Sequence, residues 1–484
     1  MTRTRILILL TTVAIIGAAC SRAAAPRTAG PSHSTEVSNV DPDAAKGGGT
    51  DAEGDGGESA SNDPDLNHAF TAPRWTGSLT ALPSPGWTTE KVWNRGHDDW
   101  EPAIAADPNS PYVYTLTTRY GGAQACGTCP KIAIILRVSD DGGVSWGPDQ
   151  YLCSCAGEHN QFDPIIEVDG NGAVHAAWLN GFKPGVTYSS STDHGQTWST
   201  PVDAVSSHWS DKPNLAVSAD GQDVYIAFNG STRGDSHIAV SHDGGATFTD
   251  SVAVDSGRYY FAGGAWTSAN GDHVVFAQSD NNQHYSAGVH IDAIVSDDAG
   301  ATWSKVRVAS GHEQPDCTST GCYDGFYGPM PALAGDADGN LVMAYSVNKR
   351  DRAPERLRIE TSSDFGMSWH HRETLSPNHG SANALFPAMA ATGHGDFRVW
   401  WMDTRTGHWN VWYRASTDAG LTWSHTVRLS NASGGAPYKG ARGFREAYGD
   451  YGEMDITNAG KTVAIWGEGP SYYGPGGSWF IRQT

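Results

Sequence analysis

Ser139-Asp-Asp-Gly-Gly-Val-Ser-Trp146 decides the fold, because the chain carries this pattern, Ser-x-Asp-x-Gly-x-Ser/Thr-Trp/Phe, six times. The other copies are Ser191-Thr-Asp-His-Gly-Gln-Thr-Trp198, Ser241-His-Asp-Gly-Gly-Ala-Thr-Phe248, Ser296-Asp-Asp-Ala-Gly-Ala-Thr-Trp303, Ser362-Ser-Asp-Phe-Gly-Met-Ser-Trp369 and Ser416-Thr-Asp-Ala-Gly-Leu-Thr-Trp423. Their first serines fall about 50 to 66 residues apart, a period too long for a helical solenoid and right for four short strands with their loops. Each copy suits a hairpin tip: the Asp accepts hydrogen bonds from turn amides, the Gly takes positive φ, and the ring packs beneath the next strand.

A second repeat counts the blades. Inner-strand starts recur at Glu101-Pro-Ala-Ile-Ala, Asp163-Pro-Ile-Ile-Glu, Asp211-Lys-Pro-Asn-Leu-Ala, Phe261-Ala-Gly-Gly-Ala, Met330-Pro-Ala-Leu-Ala, Phe386-Pro-Ala-Met-Ala and Asp450-Tyr-Gly-Glu-Met. Each precedes a short apolar strand such as Val174-His-Ala-Ala-Trp178 or Val224-Tyr-Ile-Ala-Phe228. There are thus seven starts for six boxes, and the chain stops where a seventh box would begin. Trp87-Thr-Thr-Glu-Lys-Val-Trp93 has the spacing of a strand that follows a box, so it is expected to complete the last blade and leave no open sheet edge. The expectation is an all-β propeller of four-stranded antiparallel blades, seven in number. Six blades, with irregular structure in residues 430–449, is the alternative.

The repeated pattern resembles the Asp box, or BNR repeat, of the sialidase superfamily, over roughly residues 86 to 484. The resemblance implies that the six box aspartates are structural, since boxes lie on blade edges away from the catalytic face. It also implies an exo-sialidase-like glycosidase. Such boxes occur in lectins, sorting receptors and other glycosidases too, which keeps a glycan- or protein-binding propeller, or a polysaccharide lyase on the same face, as alternatives. The Phe/Tyr-Arg-Ile-Pro segment that supplies the first carboxylate-binding arginine in that family is absent ahead of the first box.

Composition fits an exported β protein, with 58 Gly, 18 Trp, 18 Tyr and only 18% charged residues. A net charge of −21 argues against nucleic acid as a partner. Acidity is concentrated in residues 36–65, a Gly/Ser/Ala-rich stretch. Residues 21–72 therefore read as a disordered tether, between a leader in residues 1–20 and the propeller in residues 73–484. The leader has a basic start and a short apolar run ending in Ile16-Gly-Ala-Ala-Cys20, which resembles a bacterial lipoprotein signal with Cys20 as the acylated residue. The expected partners are accordingly a carbohydrate and, through the lipid anchor, the bacterial membrane. A cell-surface monomer is expected, with simple secretion the alternative.

Export makes the other six cysteines candidates for disulfides. Cys126 and Cys129 lie almost symmetrically with Cys153 and Cys155 about the first box, so cross-hairpin bridges are expected, with Cys317 bonded to Cys322. No cofactor or metal is called for: Asp336-Ala-Asp-Gly-Asn340 lacks the bidentate Glu of a calcium loop and reads as a turn.

Chemistry is expected on the face opposite the boxes, where the loops entering each inner strand and those joining second to third strands converge. Carboxylates for acid/base work, guanidinium groups for an acidic substituent and rings for pyranose faces gather in those loops. The catalytic candidates are Tyr451 with Glu446 or Glu468 as an activated phenol pair, and Asp98, Asp99 or Asp163 as the acid. The substrate-binding candidates are Arg442, Arg445, Arg405, Arg258, Trp100 and Trp209. The recurrence of Glu101, Asp163, Asp211 and Asp450 at one strand-entry position also fits carboxylates that simply cap exposed amides.

Overall fold

A computed structural model describes residues 83–93, 97–181, 185–205, 210–230, 235–254, 259–281, 288–312, 330–347, 354–376, 382–407, 409–430, 446–469 and 477–484. The leader, Cys20, the tether, Trp209, Arg258, Cys317, Cys322, Arg442 and Arg445 lie outside them. The described residues form seven four-stranded antiparallel sheets. In the first blade β2 (Asp98–Ala106) is innermost, followed by β3 (Val113–Tyr120), β4 (Ala133–Ser139) and β5 (Gln150–Tyr151). The inner strands of blades two to seven are β6 (Gln161–Val168), β10 (Ser210–Val217), β14 (Tyr259–Thr267), β18 (Pro331–Gly335), β22 (Ala384–Thr392) and β26 (Glu446–Ile456).

Blades stack face to face, so their second strands are apolar on both sides rather than alternating. Every residue of β7 (Val174–Asn180) and β11 (Val224–Gly230) is buried. The core consequently lies between blades: Leu179 and Val186 of the second pack with Ile226 and Phe228 of the third. Outer strands face water, as in β13 (Thr249–Val254), where no residue is fully buried.

Each box closes its own turn through one set of hydrogen bonds. The Ser191 hydroxyl donates to Asp193 (2.8 Å) and accepts from the Gly195 amide (2.9 Å), while the Thr197 amide and hydroxyl donate to the Asp193 carboxylate (2.8 and 2.6 Å). Those bonds, first the Thr197 hydroxyl and then its amide, hold the Asp193 carboxyl at about 2. The same constellation recurs at Asp141, Asp243, Asp298, Asp364 and Asp418. At the third box glycine is also required by space, because a Cβ on Gly245 would stand 2.0 Å from the Tyr188 ring of the preceding blade.

The last blade takes its outer strand from the other end of the chain. β1 (Lys91–Val92) pairs with β28 (Gly477–Arg482), Lys91 facing Phe480 and Val92 facing Trp479, and Trp87 bridges to Gln483. Trp87 is buried against Tyr413 of blade six, while Trp93 packs on Trp146 of blade one. The segment therefore spans three blades. Replacing Trp87 by Ala removes a buried indole at this closure and is expected to cost about 3–5 kcal/mol, read as a lower urea midpoint with an unchanged slope.

The cysteines depart from expectation. Cys126 bonds Cys129 and Cys153 bonds Cys155, at Cα separations of 5.0 and 5.2 Å. The reason is register: Ile135 faces Tyr151 and Leu136 faces Gln150, which on continuation sets Cys153 against Ala133 instead of Cys129. Each pair closes locally, and the two loops are joined by a hydrogen bond from the Gly157 amide to the Thr128 carbonyl (2.7 Å). Peptide mapping without reduction should return these two short loops and no cross-linked peptide from residues 126–129 to residues 153–155.

Candidate functional site

The face opposite the boxes is organised by one repeated backbone device. Glu101, Asp163, Lys212 and Phe386 each precede a proline, sit at positive φ (54, 49, 53 and 51°), and mark a register break where their inner strand begins. A positive φ is uncommon for a residue with a Cβ, and such conformations gather where a side chain must be re-aimed. Here a β-bulge at each strand entrance places the residue before proline on a collar around the central channel. The third collar residue is Lys212, one position later than the Asp211 expected from sequence. By register Asp450 takes the same place in the last blade, since Gly452 faces Trp466 as Ala388 faces Trp400.

Three of these positions form a charged arc. Glu101, Asp163 and Lys212 come from adjacent blades and are largely buried, at 9, 5 and 5% exposure. A Glu101 carboxyl oxygen accepts the Asp163 amide at 3.1 Å. Burial raises the Glu101 carboxyl well above the usual range, the neighbouring Asp163 carboxylate raises it further, and the Lys212 charge opposes the rise. The Lys212 ammonium lies 5.1 Å from the centroid of the Phe261 ring. Beside them a slot of about 70 Å³ is walled by Phe261, Met330, Phe386 and the prolines at 164, 213, 331 and 387, with Asn214 and Glu453 in its lining.

Beneath it lies a cavity of about 230 Å³ whose polar wall includes Glu167, Asn214, Glu453 and Asp455. Glu453 and Asp455 accept the backbone amides of Ile104 and Ala106 in blade one, at 2.8 and 2.6 Å. Burial lifts Glu453 to about 8 and Asp455 to about 6, against the pull of those amides. Burial likewise raises Glu167, with Asp455 and Glu453 adding to it. A carboxyl whose affinity for protons rises on folding stabilises the fold while protonated, and that contribution disappears as pH climbs through its folded value. Thermal stability should therefore fall as pH rises from the ordinary carboxylate range to about 8, and Glu453→Gln should flatten the upper part of that fall in calorimetry.

Several sequence candidates are committed elsewhere. Asp99 is fully buried and takes the Arg119 guanidinium at 2.8 and 3.1 Å, and Arg119 also reaches Asp149 at 2.7 Å. Asp98 accepts the Trp100 indole N–H at 2.9 Å, and the buried Trp100 ring stands edge-on to Tyr120. Arg405 is buried, bonded through Nε to both oxygens of Asp403 at 2.8 Å, and stacked 3.9 Å from the Trp412 centroid. These groups turn into the blades. Asp163 stays on the collar, buried, with its amide donating to Glu101. For Glu446, Tyr451 and Glu468 the backbone alone is described: it sets Glu468 opposite Ala447, next to Glu446, and leaves Tyr451 in the bulge before Gly452. A Tyr–Glu contact in blade five, Tyr345 to Glu360 at 2.8 Å, is no activated phenol, because burial and the Glu360 charge push the phenol upward. Asp336 accepts the Asp338, Asn340 and Gly395 amides, which makes its loop a turn. Among the described residues no cluster of three or more His, Cys, Asp or Glu side chains could hold a metal ion.

Glu101 and Lys212 are the site residues whose weight the sequence understated. The signal was present as a polar residue before proline at three successive strand entries.

Residues 120–262 match the family model of a BNR repeat-like domain, and the described residues form a seven-bladed β-propeller. No curated protein matches it. Similar solved structures include an ulvan lyase (TM-score 0.48, 12% identity, 81% of this chain and 94% of that one). A Penicillium chrysogenum α-L-arabinanase follows (0.45, 12%, 83% and 98%). The NanB sialidase of Streptococcus pneumoniae is a third (0.43, 12%, 84% and 71%). These likenesses concern the fold.

Proposed function

We propose that this chain is a sialidase-like glycoside hydrolase acting on extracellular glycans with acidic sugars, its active face at the collar. The observation that carries this reading is the pairing of Glu101, whose proton affinity burial and Asp163 raise, with Asp163 one blade away. Glycoside cleavage needs a carboxylic acid to protonate the leaving oxygen and an anionic group to answer the positive charge that builds on the sugar ring. Glu101 takes the first role. Asp163 takes the second, and Tyr451, with Glu446 or Glu468 as its base, attacks the anomeric carbon from the last blade. Arg442, Arg445, Arg258 and Trp209 contact the bound sugar. The apolar slot receives the less polar face of the substrate. Anchored through Cys20 and spaced by the tether, the monomeric propeller works at the cell surface.

A screen of chromogenic glycosides and acidic glycans tests this. Glu101→Gln and Tyr451→Phe should each lower kcat by about 10²- to 10⁴-fold. Asp418→Ala in the sixth box should lower stability and leave kcat of the folded fraction intact. Binding without cleavage by the intact protein would favour a glycan-binding propeller, and an unsaturated product would favour a lyase.

A further inference from the structure

We infer that the two short cystine loops at the entrance to blade two form a thiol–disulfide exchange site, reducible by a dithiol in the folded protein, and that their state sets the backbone carrying Asp163. The exchange rests on the loops alone. Its consequence for turnover rests on the glycosidase reading of the collar. Both loops lie on the face opposite the boxes, one joining β3 to β4 and the other leading from β5 into β6. Cys126 and Cys129 are three residues apart, Cys153 and Cys155 two. A crosslink stabilises a fold by restricting the unfolded chain, and does so less as the loop it closes shortens. Bridges this local hold their own turns, whereas the cross-hairpin bridges expected from the sequence would have stapled the two loops together.

Access and chemistry suit exchange. Cys126, Cys153 and Cys155 are half-buried, while Cys129 is buried. The thiolate of a dithiol attacks the Cys126 sulfur and the Cys129 thiolate leaves; the reagent's second thiol then displaces the Cys126 thiolate and closes its own disulfide. Two electrons and two protons pass to the protein, and the dithiol is oxidised. The Thr128 hydroxyl stands 3.6 Å from the Cys126 sulfur, placed to donate to that thiolate as it departs. The same exchange opens Cys153–Cys155. Hydrogen bonds carry the effect to Asp163. Each cystine sits on a turn, closed by the Cys129 amide on the Cys126 carbonyl (3.1 Å) and by the Glu158 amide on the Cys155 carbonyl (3.0 Å). The Gly157 amide donates to the Thr128 carbonyl between the loops (2.7 Å). The Asn160 side-chain oxygen accepts the Lys131 and Ile132 amides (3.1 and 3.2 Å), and the Gln161 amide donates to the Ile132 carbonyl (3.0 Å). Phe162, buried beside Tyr120, and Asp163 follow directly.

Reduction under native conditions tests this. The full chain is treated with dithiothreitol without denaturant, alkylated and mapped by mass spectrometry, with amide hydrogen exchange followed before and after. The expected result is alkylation of Cys126, Cys129, Cys153 and Cys155 in a protein whose melting temperature is nearly unchanged. Amides of residues 157–163 should exchange about tenfold or more faster, while the box amides stay as they were. A variant combining Cys126→Ser, Cys129→Ser, Cys153→Ser and Cys155→Ser should show that faster exchange without reductant and no further response to it. Cystines that stay closed until the chain unfolds, or whose opening unfolds it, overturn the exchange site. Cystines that open while residues 157–163 exchange as before overturn the coupling to Asp163. With a glycoside that the wild type cleaves, kcat should differ between the oxidised and reduced forms, and equal values would also overturn the coupling. If the loops respond as expected while no glycoside is cleaved, the exchange site stands and the glycosidase reading falls.

Discussion

The innermost strand of every blade pairs on one side only, and its free edge of backbone amides faces the central channel. Those amides must find acceptors, because a buried unpaired N–H costs about as much as a lost hydrogen bond. Side chains of the adjoining blade provide them: Glu453 and Asp455 accept Ile104 and Ala106, and Glu101 accepts Asp163. The same requirement that closes the ring therefore lines the channel with carboxyls. Their burial then lifts their proton affinities. Structural necessity and chemical potential come from one set of atoms.

This overlap explains how far the sequence could be read. The boxes and the strand entries carry local turn and packing chemistry, so blade number and box bonding were legible, and the Trp87-to-Trp93 segment pairs with β28. The cysteine partners were not legible, since symmetry about Asp141 ignores the length of the box turn, which offsets the facing strands by several residues. Asp211 was one residue off because the bulge, rather than the sequence pattern, decides which side chain faces the mouth. Asp99 and Arg405 looked available as loop charges; only the fold shows that Arg119 and Asp403 already hold them.

The collar also separates roles that sequence merges. Glu101 caps the neighbouring strand through the Asp163 amide, yet both residues sit at strand entrances beside the prolines that wall the apolar slot. A group can cap a strand and still act on a substrate, provided its second oxygen is left toward the opening. Whether a carboxyl here belongs to folding or to chemistry is thus a matter of individual oxygens more than of residues.

The two ends of the described chain meet in one blade: the Thr484 amide donates to the Gly86 carbonyl at 2.8 Å, and Ser84 donates to the Arg428 carbonyl next door. Both ends emerge on the box side, so a cargo fused at either end would project away from the collar. Joining Gly86 to Thr484 and reopening the ring at another hairpin would exchange the present two-residue pairing for a covalent loop. The propeller is thereby suited to circular permutation, and its termini are natural handles for display on a surface with the channel mouth facing outward.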